Sequence, residues 1–199
     1  MTIHHAEFNT LITAVGMACA TVQAHTGIYA GYVRKKTGLI KTNPVLFQSH
    51  RAFGNFSTIL YLLGLFAGIT GFVGALTVNN PPLELDSASF NIHTWGSFIV
   101  LVFFFWKTWD SYFKKAALYG KRKWLGIALF LSWSFTWITS AVSYYERTRP
   151  GNFQHPPPAF LLPSSLFGLQ LVLPFVLGGI VGILTLSRAI RLEKAAKKH

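Results

Sequence analysis

Five apolar stretches, separated by short polar or proline-containing segments, dominate this sequence. They cover residues 8–33, 53–76, 92–106, 124–144 and 166–186. A helix needs about 20 mostly apolar residues to cross a bilayer, and we assign one helix to each stretch. The chain is 51% hydrophobic and 12% charged, which leaves too few polar side chains to coat a soluble globule of 199 residues. The sequence therefore predicts an all-α, polytopic membrane protein with five transmembrane helices in one domain, 1–199.

The first stretch is interpreted as a retained helix rather than a cleaved signal. It contains Gln23 and His25, and it lacks the basic leading segment and the small-residue cleavage site of a secretory signal. Stretch 8–33 therefore counts as a membrane span.

Lysine and arginine are distributed very unevenly about these stretches. On one side are all but two of the 18 basic residues: Arg34, Lys35, Lys36, Lys41, Arg51, Lys107, Lys114, Lys115, Lys121, Arg122, Lys123, Arg188, Arg191, Lys194, Lys197 and Lys198. Only Arg147 and Arg149 lie on the other side. Because short cytoplasmic loops are enriched in these residues, the N-terminus is expected outside or in a lumen. The C-terminus is expected in the cytoplasm or stroma, across a bacterial inner membrane or a thylakoid.

The net charge of +12 raises the question of which partners the chain attracts. Nucleic acid is an unsuitable partner, because the basic residues lie beside span ends and no soluble domain presents aromatic side chains to bases. Anionic lipid headgroups or an acidic cytoplasmic partner explain the charge better.

Local signals place several helix ends. Asn43 followed by Pro44 is typical of a helix N-cap, so the second helix is expected to begin near residue 44 and to include His50. Ser87 or Ser89 is expected to cap the third helix, which places His93 about one turn inside it. Segment 149–163 contains three consecutive prolines and is predicted to be the longest outer loop and an outer docking surface.

Several chemistries are excluded by missing motifs. Cys19 is the single cysteine, so the sequence has no disulfide, no Cys-x-x-Cys-His haem attachment and no cysteine-based cluster. It also contains no Walker A loop and no His-Glu-x-x-His motif. The loops are too short for a flavin or nicotinamide domain, so the chain is at most a subunit of a membrane oxidoreductase.

Histidines are the remaining candidates for function. His25 and His50 are predicted near the cytoplasmic side, whereas His93 lies near the outer side with His4, His5 and His155. Because polar side chains in lipid are costly, an intramembrane histidine suggests a function, and haem ligation between helices is an established one. The alternative is a histidine that only hydrogen-bonds its surroundings. For His25 and His50, the hydrogen-bonding partners would then be Gln23, Asn55 or headgroup phosphates.

The order of several short motifs resembles a known family. His5 precedes the first span, SHRAFG at 49–54 opens the second, IHTWG at 92–96 opens the third, and Trp133 lies in the fourth. These features resemble a little-characterised family of small four-helix membrane proteins in cyanobacteria, plastids and other bacteria. That family is similar to di-haem transmembrane b-type cytochromes. The resemblance covers residues 1–145 as a four-helix core and leaves 164–192 as an extra helix.

The resemblance implies haem ligands on alternate helices. His5 and His93 would ligate the iron of one haem b at the outer site. His50 would ligate an inner haem with a histidine opening the fourth span, but residues 123–126 read KWLG. His25, in the same membrane half as His50, is the alternative inner ligand. One haem is therefore expected, and a second only if His25 substitutes.

Electron transfer through b-type haem, with membrane or soluble redox partner subunits, is the function that this resemblance implies. Two alternatives remain open: a haem-free structural or accessory subunit of a respiratory or photosynthetic complex, and binding of a chlorophyll-type pigment by single histidines. Histidines paired at one depth would favour haem. Histidines facing a neighbouring subunit would favour pigment, and histidines hydrogen-bonded within the protein would favour a scaffold.

Overall fold

The computed structural model describes residues 5–33, 43–77, 88–113, 115–148 and 164–196, and these residues are almost entirely helical. The five long helices are α1 (His5–Ile28), α2 (Pro44–Thr77), α3 (Ala88–Phe113), α4 (Lys115–Thr148) and α5 (Phe167–Ala196). A π-helical turn, Tyr29–Val33, continues α1, and a 3-10 turn, Ser164–Leu166, leads into α5. Each predicted apolar stretch lies in one long helix or its adjoining turn, which confirms the all-α class.

Four helical segments are long and apolar enough to cross a membrane: Phe8–Gly31, Pro44–Thr70, Trp124–Glu146 and Phe167–Ala196. This composition fits an integral membrane protein. The predicted span 92–106 lies in the 26-residue α3, which carries His93, Thr94 and Ser97 in its first half. Packing against other helices can accommodate such polar groups.

Two helices extend well beyond their apolar stretches at one end of the bundle. Between α3 and α4 only residue 114 lies outside the described ranges, so most of the expected basic loop 107–123 is helical. The apolar stretches mark only where a helix is hydrophobic, and the lysines, alanines and leucines that follow are themselves good helix formers. We call the end where α1 ends and α2 begins the inner end, and the opposite end the outer end.

Helix α1 lies at the centre of the bundle and packs against α2, α4 and α5, whereas α3 packs mainly against α4. Small residues on α1 permit this close approach. The ring of the buried Trp133 in α4 lies directly against Gly16, where a side chain would overlap it. Trp137 of α4 donates a hydrogen bond from its indole Nε1 to the Leu171 carbonyl oxygen at 3.0 Å, which ties α4 to α5.

Helix α5, which the sequence places outside the four-helix core, packs directly against α1. Gly178 of α5 is buried against the Ala18 carbonyl and the Thr21 side chain. Gly182, one turn further along, is buried against His25. The glycines therefore bring two backbones close together, as small residues do at membrane helix interfaces.

Serine and threonine hydroxyls within the helices mostly bond to their own backbone. Thr21, Ser134 and Thr136 each donate to the carbonyl four residues earlier at 2.9 Å. Thr10 and Ser140 also meet across the α1–α4 interface, with their oxygens 3.4 Å apart. This pattern satisfies polar groups without water.

Asn43 joins the start of α2 to the end of α5. Its Oδ1 accepts hydrogen bonds from the backbone N–H groups of Val45 at 3.1 Å and Leu46 at 3.2 Å, which confirms the predicted N-cap. Its Nδ2 donates to the Ala189 carbonyl at 3.1 Å, and the residue is only 6% exposed. One buried amide therefore fixes two helices at the inner end.

The Asn43→Ala variant is expected to lose about 1–3 kcal/mol of stability, because the cap and the bond to Ala189 disappear together. Thermal or detergent-induced unfolding followed by circular dichroism would measure the loss. Gln48→Ala, at an exposed polar position on the same helix, is the matched control and should change stability by less than about 0.5 kcal/mol. Equal stabilities of the two variants would contradict the role of Asn43.

Candidate functional site

His93 lies in the second turn of α3 and faces α4. Its Nδ1 is 3.0 Å from Thr139 Oγ1, and the residue is half-buried. The Phe135 ring of α4 lies directly against Gly96 one turn further along, so α3 approaches α4 closely here. Ser97, also one turn inward from His93, has a buried Oγ with no hydrogen-bond partner among the described residues. This imidazole therefore lies in the interface between α3 and α4.

His50 lies in the second turn of α2, on helix as predicted, and faces α1. Its Nδ1 is 2.8 Å from Thr26 Oγ1, and its ring contacts Gly27. This imidazole is also half-buried between two helices.

His25 lies on α1 and faces α5. Its Nδ1 donates to the Thr21 carbonyl of its own helix at 2.9 Å, since a carbonyl can only accept. The ring covers Gly182, where an added Cβ would lie 3.0 Å from the His25 Cβ. Successive residues on a helix point about 100° apart, so His25 and Thr26, which contacts His50, occupy different faces of α1. The inner histidines therefore share one end of the bundle but face different helices.

The two ends are well separated along the bundle axis. The contact between Thr10 and Ser140 places residue 10 of α1 level with the residue that follows Thr139, and thus with His93. Thr26, which contacts His50, lies 16 residues further along α1. At 1.5 Å per residue this separation is about 24 Å, most of the thickness of a hydrocarbon core.

His5 is the first residue of α1, and its side chain lies outside the described residues, as do His4 and His155. His5 comes five residues before Thr10 on α1, and Thr10 lies level with His93. The His5 backbone therefore lies about 7 Å beyond the level of His93. Pairing of His5 with His93 stays a prediction.

Within the described ranges, no three histidine, cysteine, aspartate or glutamate side chains cluster as a metal site. A site made of protein ligands alone, such as structural zinc, needs four of them. Bis-imidazole haem ligation needs only two histidines, so the histidines remain its candidates.

Comparison with known proteins adds no relative. No protein-family model, curated protein or solved structure matches the chain. The resemblance to the family of small four-helix membrane proteins therefore continues to depend on the short motifs.

Sequence reasoning missed the two threonines that contact the histidines. The partners expected for the inner pair were Gln23, Asn55 or headgroups, whereas the structure shows contacts of His50 with Thr26 and of His25 with the Thr21 carbonyl. Thr26 and Thr139 are 24 and 46 residues from their histidines. Only the pairing of helix faces brings them together, and no local motif indicates it.

Proposed function

We propose that this protein is a five-span, polytopic membrane protein that transfers electrons as a b-type cytochrome-like protein or subunit. The observation that supports the proposal is the presence of half-buried imidazoles at both ends of an apolar bundle, about 24 Å apart along its axis. Burying such groups in lipid is costly, and each lies in a helix interface where a ligand between helices would contact it. Haem, when bound, would supply reversible one-electron transfer.

The residues of the outer end fit haem ligation best. Metal-binding histidines usually engage their second ring nitrogen with a protein group, and Thr139 engages Nδ1 of His93 in this way. The buried Oγ of Ser97 lies one turn away and offers a polar contact to a ligand. We therefore assign the outer haem to His93 with His5.

The inner end fits haem less well. His25 and His50 extend toward different neighbours, α5 and α1 respectively, so the two rings do not face one shared space. We propose that these two histidines serve helix packing, so that the protein binds one haem.

An absorption spectrum of the protein purified from its native membrane, before and after dithionite, tests this function. We expect a reduced α-band and about one haem per chain, because one bis-imidazole site holds one haem. Purified protein without stoichiometric haem would contradict the proposal.

Exposed basic residues at the inner end support an orientation. Arg51 near the start of α2 and Arg188, Arg191 and Lys194 near the end of α5 all lie at this end and are exposed. Lysine and arginine accumulate on the cytoplasmic side, where anionic headgroups attract them. We therefore propose a cytoplasmic or stromal inner end in a bacterial inner membrane or thylakoid.

Protease added to sealed cells or right-side-out vesicles is expected to cleave within residues 146–163 and to spare the C-terminal tail, because only the outer end is accessible. Immunoblotting of a tag at the C-terminus would follow the cleavage. Permeabilised membranes are the control and should lose both segments. Cleavage of the tail alone in sealed cells would reverse the orientation.

A second candidate function is a haem-free structural or pigment-binding subunit of a larger complex. Two observations favour it. His25, His50 and His93 each hydrogen-bond within the protein, which is the arrangement expected of a scaffold. The face of α3 turned away from α4 also exposes many aromatic rings: Trp95, Phe98, Phe103, Trp106 and Trp109. An open cleft of about 350 Å³ lies at its inner end beside Phe105 and Phe113. Such rings suit a partner helix or a flat pigment. A red chlorophyll-type band that dithionite leaves unchanged would indicate pigment, and a colourless protein would indicate a scaffold.

A further inference from the structure

Two threonines at opposite ends of the bundle contact histidines in the same way. Thr139 of α4 lies 3.0 Å from Nδ1 of His93 on α3, and Thr26 of α1 lies 2.8 Å from Nδ1 of His50 on α2. In each pair the histidine is in the second turn of its helix and the threonine belongs to the antiparallel neighbour. The two hairpins, α1–α2 and α3–α4, therefore contain the same pair. In α1–α2 the threonine is on the first helix and the histidine on the second, and in α3–α4 this order is reversed.

The direction of each hydrogen bond follows from the single proton of a hydroxyl group. Thr139 Oγ1 donates to the Phe135 carbonyl at 2.8 Å. Thr26 Oγ1 donates to the Gln23 carbonyl at 2.9 Å. With its proton directed to that carbonyl, each hydroxyl presents a lone pair to the imidazole and would accept from a protonated Nδ1. In a neutral ring protonated at Nδ1, the lone pair is on Nε2.

We propose that Thr139 and Thr26 are positioning residues that fix the Nδ1–H tautomer and the ring plane of His93 and His50. Neutral histidine in water prefers the opposite tautomer, with the proton on Nε2, so the threonines impose a choice that the ring would not make alone. An Nε2 lone pair is what a metal or a hydrogen-bond donor requires from a neutral imidazole.

The consequence for haem concerns His93 and rests on the proposed function. A hydrogen bond to the second ring nitrogen orients a ligating imidazole and raises its basicity, and its loss commonly costs 10–100-fold in affinity. The tautomer assignment itself requires no haem, so the two ideas can fail separately.

The chain offers matched variants and an internal reference. Thr139→Val and Thr26→Val remove a hydroxyl at nearly constant volume, and Thr139→Ser and Thr26→Ser restore it. His25 is the reference, because its Nδ1 donates to a backbone carbonyl that neither substitution removes.

Nitrogen-15 NMR of the full-length haem-free protein, labelled at histidine, tests the tautomers. We expect protonated Nδ1 in His93, His50 and His25 of the unsubstituted protein. Thr139→Val should move the proton of His93 toward Nε2 without affecting His50 or His25, and Thr26→Val should do the same for His50. Serine should restore the original tautomer in each case. An unprotonated Nδ1 in His93 and His50 of the unsubstituted protein would overturn the proposal, and this measurement does not depend on how the variants fold. Valine variants that keep the tautomers of the unsubstituted protein would also overturn it.

Titration with haem b separates the tautomer proposal from the electron-transfer proposal. We expect Thr139→Val to bind haem about 10–100-fold more weakly and with a shifted midpoint potential, and Thr139→Ser to restore both. If the unsubstituted protein shows the expected tautomers but binds no haem, the electron-transfer proposal fails and the positioning role stands. Equal affinity and potential in the unsubstituted protein and Thr139→Val would contradict the positioning role at the haem site.

Discussion

The Gly178→Val substitution is expected to displace α5 from α1. A side chain at this buried position would overlap the Ala18 carbonyl and come within 2.7 Å of the Thr21 Cβ, and a backbone group inside a helix cannot move aside. Overpacking of this kind costs about 1–3 kcal/mol, and more where the obstacle is rigid. Unfolding in detergent, or cross-linking between α1 and α5, would measure the effect.

Gly168→Val is the matched control for this prediction. Gly168 lies on the same helix, is exposed, and has nothing within 4 Å of an added Cβ. It should change stability by no more than about 0.5 kcal/mol. Equal stabilities of Gly178→Val and Gly168→Val would contradict the close approach of α5 to α1 at Gly178.

The His93→Ala substitution is expected to abolish the reduced α-band and the bound haem, because the proposed outer site loses one of two iron ligands. Pyridine haemochrome analysis of the purified variant would give the stoichiometry. An unchanged spectrum and haem content would remove His93 from the ligand set.

His25→Ala and His50→Ala are the controls for His93→Ala. All three histidines are half-buried in helix interfaces and engage Nδ1, so general disruption of packing should be similar among them. We expect both inner variants to keep their haem. Loss of one equivalent of haem in each would instead show that His25 and His50 form a second bis-histidine site.

Features that depend on neighbouring residues could be predicted from the sequence. Asn43 caps α2 as expected, because a side-chain oxygen reaches backbone N–H groups two and three residues ahead. Because this cap sets the start of α2 before residue 50, His50 lies on the helix, as predicted. The ends of α3 and α4 could not be predicted, because hydrophobicity identifies the part of a helix that fits lipid and not the point where the helix stops.

By itself the sequence determined the helical class, four of its five predicted spans as helices apolar enough for a membrane, and the histidines available to them, because length, apolar composition and capping act locally. The tertiary structure alone decided that α1 is central, that Gly178 of α5 packs against α1, and that Thr26 and Thr139 contact histidines. In lipid, helix faces are selected by close packing and hydrogen bonding between small and polar side chains rather than by hydrophobicity. Those contacts join residues far apart in the chain, so they become visible only when the helices are in place.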